Sequence, residues 1–119
     1  MPAVSLVDSA ALDRLRKFGG DTLLKGMVEL FVENAPRSVT EAREALDCGD
    51  AAALRAALHG LKSSSGQLGA ASVYQACVTG EELASRGDLS ACAPLVQRIE
   101  TDLPQVCEQL GGIARKQES

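Results

Sequence analysis

At 119 residues the chain is long enough for one hydrophobic core and too short for two. An apolar content of 45% excludes a disordered chain, and only 3% aromatic residues leave a core of Leu, Val and Ala, which suits close-packed helices rather than a β-sandwich. A net charge of −4, with no basic tract and almost no aromatic side chains for base stacking, argues against nucleic acid as a partner.

In chain order, Leu6 to Phe18 reads as a short helix, with Asp8 or Ser9 as caps and Gly19-Gly20 as its stop. Asp21 then opens a long helix carrying Leu24, Met27, Val28, Phe31, Ala35, Ala42 and Leu46 at helical spacings. It ends near Cys48-Gly49, and Pro36 within it predicts a kink or break. Asp50 caps the next helix, which runs to about Leu68 and stops at Gly69; another follows from about Ala71 to Arg86, stopped by Gly87. The last starts between Asp88 and Ser90 and carries Val96, Ile99, Leu103, Val106 and Leu110. Pro104 is expected to bend it, Gly111-Gly112 to end it, and residues 114–119 to form a loose tail.

Short connections between long amphipathic helices force neighbours to run antiparallel. The expected fold is therefore all-α: an antiparallel up-down-up-down four-helix bundle, with the short helix of residues 6–18 added at one end. Residues 1–119 read as a single domain with its bundle core at about 21–112. No apolar run approaches the roughly 18 residues of a membrane span, and the N-terminus lacks the pattern of a secretion signal. A cytoplasmic protein without direct membrane contact is expected. Cys48, Cys77, Cys92 and Cys107 are widely spaced, with no Cys-x-x-Cys pair, and read as small, buried, reduced core residues rather than a disulfide or zinc framework.

His59 is the single histidine. At about 100° per residue, Leu54, Leu58, Leu61 and Leu68 gather on one side of its helix, with Ser65 in that sector. His59, Lys62, Ser63 and Gly66 lie nearly opposite. The helix has a complete apolar stripe without the imidazole, which argues against a core histidine. Lys62, one turn on, can place an ammonium near a phosphoryl oxygen. Ser63 and Gly66 keep the adjacent turn low for an approaching partner. Gly66 costs the helix roughly 1 kcal/mol relative to Ala, so it needs a reason, either this clearance or close packing on another helix. Antiparallel pairing about Gly69-Ala70 brings Gly80-Glu81-Glu82 to the level of His59, and Gly80 lets the backbones approach. Glu81, ahead of Glu82, can accept from Nδ1–H and leave Nε2 as the nucleophile, although either glutamate can equally be a solvated surface charge.

The run His59-x-Leu61-Lys62-Ser63-Ser64-Ser65-x-x-Leu68-Gly69-Ala70 closely resembles the signature of the histidine-containing phosphotransfer (HPt) domains of bacterial phosphorelays. Residues 8–31 resemble the family's opening, the Leu-x-x-Gly-Asp-x-x-x-Leu spacing before His59 its usual approach, and Glu81-Glu82-Leu83-Ala84 with Gly87-Asp88 the acidic stretch and turn that follow. The resemblance implies a phosphocarrier rather than an enzyme. Nε2 of His59 would take a phosphoryl group from an aspartyl phosphate of one response-regulator receiver domain and pass it to the aspartate of another. It further implies that Lys62 stabilises the phosphoryl group, that Glu81 partners the ring, and that no cofactor or metal is held by this chain, Mg2+ belonging to the receiver. A hybrid sensor histidine kinase is the expected further partner, the chain being a monomer or the cytoplasmic end of such a kinase. Ser63 departs from the glycine of many members, which bears on which receivers fit. Two other readings compete. One is the substrate domain of a chemotaxis-type kinase, phosphorylated by an ATP-binding domain. The other is an interaction bundle without phosphorylation, in which a lone histidine makes a poor metal site.

Overall fold

The computed structural model describes residues 6–117, with side chains described to residue 114. Those residues form four helices and no strand: α1, Ser9–Cys48; α2, Ala51–Gln67; α3, Ala71–Ser85; and α4, Leu89–Gln117. Local chemistry sets most of the boundaries. The Asp8 carboxylate caps α1 by accepting from Ala10 N at 3.0 Å. Gly49 ends it in the left-handed region (φ 72°), and Asp50 N donates back to Ala45 O at 2.9 Å. The Asp50 side chain then caps α2 through Ala53 N at 3.0 Å, so two consecutive residues close one helix and open the next. Asp88 accepts from Ala91 N at 3.2 Å at the start of α4.

Three expectations need correction. Within α1 the backbone departs from helical dihedrals at Gly20 (φ 74°, ψ −173°) and not at Pro36. α4 continues across Pro94, Pro104 and Gly111-Gly112 to Gln117, so residues 114–117 are helical rather than a loose tail; residues 118 and 119 lie outside the described part of the chain. Helix formation at the N-terminus starts at Ser9, later than Leu6. Packing explains the continuity of α4. An interior proline costs about 3 kcal/mol, whereas burying Val or Leu contributes about 1.5–3 kcal/mol each. Beyond Pro104, Val106 and Leu110 are both 0% exposed and Ala114 is buried as well, which outweighs the break. In α1, Phe31 and Ala35 before Pro36 and Ala42 and Ala45 after it lie in one buried stripe, while the proline itself is exposed.

Each helix packs on two others, with α1 against α2 and α4, and α3 against the same two. Leu58 of α2 meets Gly80 of α3, while Gly66, later in α2, meets Tyr74, earlier in α3. Between α3 and α4, Ser72 donates to Asp102 at 2.6 Å and the Cys92 thiol to Gly80 O at 3.5 Å. Arg43 of α1 grips Glu100 of α4 with two bonds of 3.0 and 2.6 Å. The core is aliphatic, built on Leu12, Leu24, Leu54, Leu58, Leu68, Ile99 and Leu110. Ser65 is its one buried polar residue among those described, and its hydroxyl is satisfied by Leu61 O at 2.7 Å. The cysteines are free thiols; Cys77 and Cys92 are core residues, but Cys48 is exposed at the end of α1, contrary to expectation.

The segment before the Gly20 break docks on the turn between α2 and α3. Asp8 N donates to Gly69 O at 2.8 Å, Leu6 N to the Gln109 side chain at 2.9 Å, and Val7, Ala11 and Leu12 are buried. Gly69 is required twice over: its φ is 75°, and a Cβ there would lie 2.7 Å from Asp8 O.

Candidate functional site

His59 sits inside α2, between buried Leu58 and Leu61, so the backbone beneath it is held rigid. Its side chain is 69% exposed. Nδ1 lies 2.9 Å from Oε1 of Glu81 on α3, and the second oxygen of that carboxylate lies 2.8 Å from the Lys62 ammonium. One half-buried carboxylate thus bridges the imidazole and the lysine. Gly80 packs closely on α2 beside this bridge: a Cβ there would come within 2.8 Å of a Leu58 methyl, which would have to shift.

The electrostatics settle the ring's hydrogen-bonding sense. The hydrogen bond from Lys62 is the main influence lowering the Glu81 pKa; His59 adds to it, and burial opposes it. An ionised carboxylate can only accept, so the proton of this bond belongs to Nδ1. In a neutral imidazole Nε2 then carries a free lone pair, on the edge of the ring turned from Glu81. The arrangement can present an outward-facing nitrogen nucleophile while stabilising positive charge on the ring.

The other candidates separate clearly. Glu82 is exposed and pairs with Arg86 of its own helix. Lys62 is spent on Glu81 in this structure rather than standing free beside the ring. Ser63 is exposed, and Gly66 has the tight neighbour that its cost demanded, since a Cβ there would lie 3.0 Å from the Tyr74 ring. His59, Lys62, Ser63 and Gly66 share an open depression of about 670 Å3 with Tyr74, Asp8 and Arg14. On the other side of the histidine, Gly60 and Ser64 face a groove of about 350 Å3 between α1 and α2, bordered by Met27, Leu30 and Phe31. Sequence reasoning did not single out Arg14 or Tyr74. Tyr74 carried a faint signal as the lone tyrosine. Arg14 carried none, because its place depends on how a distant segment docks. Among the described residues no three His, Cys, Asp or Glu side chains gather as metal ligands, and no helix is long and apolar enough to cross a membrane.

An exposed imidazole oriented by a carboxylate in an all-helical bundle defines a class, and sequence comparison agrees with it. The Hpt domain model matches residues 26–109, and the chain belongs to that family, the histidine-containing phosphotransfer domains. Among solved structures, it is similar to histidine-containing phosphotransfer protein B (HptB) from Pseudomonas aeruginosa PAO1. The match has a TM-score of 0.86 and 25% identity, covering 96% of this chain and 98% of that one. No curated protein sequence matches the chain significantly. The chain is accordingly a histidine phosphotransfer carrier of a phosphorelay. Its family works with receiver domains and kinases and is not itself an autonomous kinase.

Proposed function

We propose that His59 is the residue that carries the phosphoryl group, taking it from the aspartyl phosphate of one receiver domain and delivering it to the aspartate of another. The observation that carries this reading is the 2.9 Å contact between Nδ1 and Glu81, which leaves Nε2 as the outward nucleophile. In the forward step the Nε2 lone pair forms the N–P bond while the P–O bond to aspartate breaks, its electron pair returning to the carboxylate. Nδ1 keeps its proton throughout, and the positive charge that develops on the ring faces Glu81. Lys62 exchanges one Glu81 oxygen for a phosphoryl oxygen. That swap needs only rotation of a flexible side chain already one turn from the histidine. Ser63 and Gly66 keep the rim of the depression low enough for a receiver to seat.

The partner supplies Mg2+, whose oxygen ligands are its own carboxylates; this chain supplies the nucleophile, its orientation and one cation. The bundle is read as up-down-up-down with the residues before Gly20 as an added short helix, a topology supported by the contact pairs Leu58–Gly80, Gly66–Tyr74 and Arg43–Glu100. The chain acts as one cytoplasmic, monomeric domain, fed by a hybrid sensor histidine kinase. The test is transfer of label from a phosphorylated receiver domain to the purified protein. Acid-labile label is expected on the wild type and absent from His59→Gln. Persistent labelling of that variant refutes the assignment. Labelling by an isolated kinase ATP-binding domain, but by no receiver, replaces it with the chemotaxis-type reading.

A further inference from the structure

The depression beside His59 contains a second cation that the proposed chemistry does not use. Besides the histidine, three charged side chains line it: Asp8, Arg14 and Lys62. Asp8 is committed to capping α1, and Lys62 to Glu81. Arg14 has no ion pair or hydrogen bond among the described residues. Arg16 is held by Asp13 and Asp21, Arg43 by Glu100, and Arg86 by Glu82, while Arg37, Arg55 and Arg98 are as unpaired as Arg14; of these four, Arg14 alone lines the depression that holds His59.

The position of Arg14 is also fixed. The segment that carries it is pinned to the α2–α3 turn by the 2.8 Å bond from Asp8 N to Gly69 O and by the burial of Val7, Ala11 and Leu12. The arginine therefore stays on the rim of the depression that a partner must cover to reach Nε2. A receiver brings an acceptor aspartate and further oxygen ligands for Mg2+, which makes the mouth of its cleft acidic. The planar fork of a guanidinium matches a carboxylate with two parallel bonds.

We propose that Arg14 is a partner-selecting residue, which pairs with a carboxylate on the rim of the receiver's acidic cleft when the receiver seats over His59. The inference rests on the reading of His59 as the phosphorylated residue. Arg14 acts on docking and not on the reacting atoms, so it governs how much receiver is needed and how salt affects it, and leaves the saturated rate alone.

The experiment measures label transfer from an aspartyl-phosphorylated receiver domain, chosen as the fastest donor to the wild type, against receiver concentration at low and high salt. Arg14→Ala is expected to raise the half-saturating receiver concentration about fivefold and Arg14→Glu further, with the maximal rate within about twofold of wild type. Arg14→Lys recovers part of the loss, the salt dependence of Arg14→Ala is shallower than wild type, and Lys17→Ala, which lies on the same segment away from the depression, changes nothing. Half-saturation within about twofold of wild type for both Ala and Glu variants overturns the proposal. So does a fall in maximal rate at constant half-saturation, which would place Arg14 on the phosphoryl group itself. If the wild type takes no label from any receiver, the phosphohistidine reading falls and this inference with it; normal wild-type labelling beside unaffected Arg14 variants overturns this inference alone.

Discussion

Replacing Gly69 by alanine separates two costs that this turn combines. Gly69 and Gly87 both have φ of 75°, so alanine at either position pays the left-handed penalty of about 1–2 kcal/mol. Around Gly87 a Cβ meets nothing within 4 Å, whereas at Gly69 it would lie 2.7 Å from Asp8 O and 3.0 Å from the Ala11 Cβ. The docked N-terminal segment must shift, losing the bond from Asp8 N to Gly69 O, which contributes about 1 kcal/mol. Gly69→Ala is therefore expected to destabilise by about 2–3 kcal/mol and Gly87→Ala by about 1–2 kcal/mol, a gap of about 1 kcal/mol. For a domain of this size the gap amounts to about 4 °C in Tm. Urea unfolding and calorimetry of both variants measure it. In a chain begun at Ser9 most of the gap should vanish, because the oxygen that collides is gone. Equal destabilisation of the two variants in the full chain refutes the docking argument.

Two further outcomes follow from the electrostatics. The Glu81 pKa lies below its ordinary value, chiefly through the bond from Lys62, so this group contributes stability above about pH 4.3 that is lost as pH falls through its lowered native value. The stability difference between wild type and Glu81→Gln should shrink as pH falls from about 5 toward 3 in urea titrations; a difference that does not change over this range contradicts the bridge. Among the thiols, burial pushes Cys77 up to about 12 and raises Cys92 and Cys107, leaving exposed Cys48 as the reactive one. An aromatic disulfide reagent at pH 8 should modify one thiol promptly, and none in Cys48→Ser until denaturant is added. A second prompt thiol in the wild type would show that the packing is looser than described.

Much of the fold was legible because its boundaries are set locally. Gly49-Asp50, Gly69 and Gly87 act within a few residues of themselves, and a reader needs no tertiary information to place them. The prolines and Gly111-Gly112 misled because they too are local signals, opposed by something that is not. Val106, Leu110 and Ala114 are buried by residues far away in sequence, and their burial outweighs the local preference. At the site, antiparallel pairing about Gly69-Ala70 brings both Glu81 and Glu82 to the level of His59, with Glu81 preferred, and in the structure the ring nitrogen contacts Glu81. Helical phase placed Lys62 near the ring but could not find its partner, because a lysine on that face reaches outward or back to Glu81 with equal ease in sequence terms. Arg14 was invisible for a similar reason: the bond from Asp8 N that brings its segment to the site is main-chain, and no side chain announces it.

That main-chain bond carries a consequence for engineering. A latch made from an amide and a carbonyl is indifferent to the letters written on the outward face of the segment it holds. Val7, Ala11 and Leu12 face inward and must stay apolar, while Arg14 and Lys17 are exposed. The matched family region starts only at residue 26, beyond this segment. Outward positions here can thus be rewritten without touching the imidazole, its carboxylate or the bundle beneath them. On the proposed reading, the relay point and its address label are carried by separate stretches of chain, which makes the second a place to redirect a signal while leaving the first unaltered.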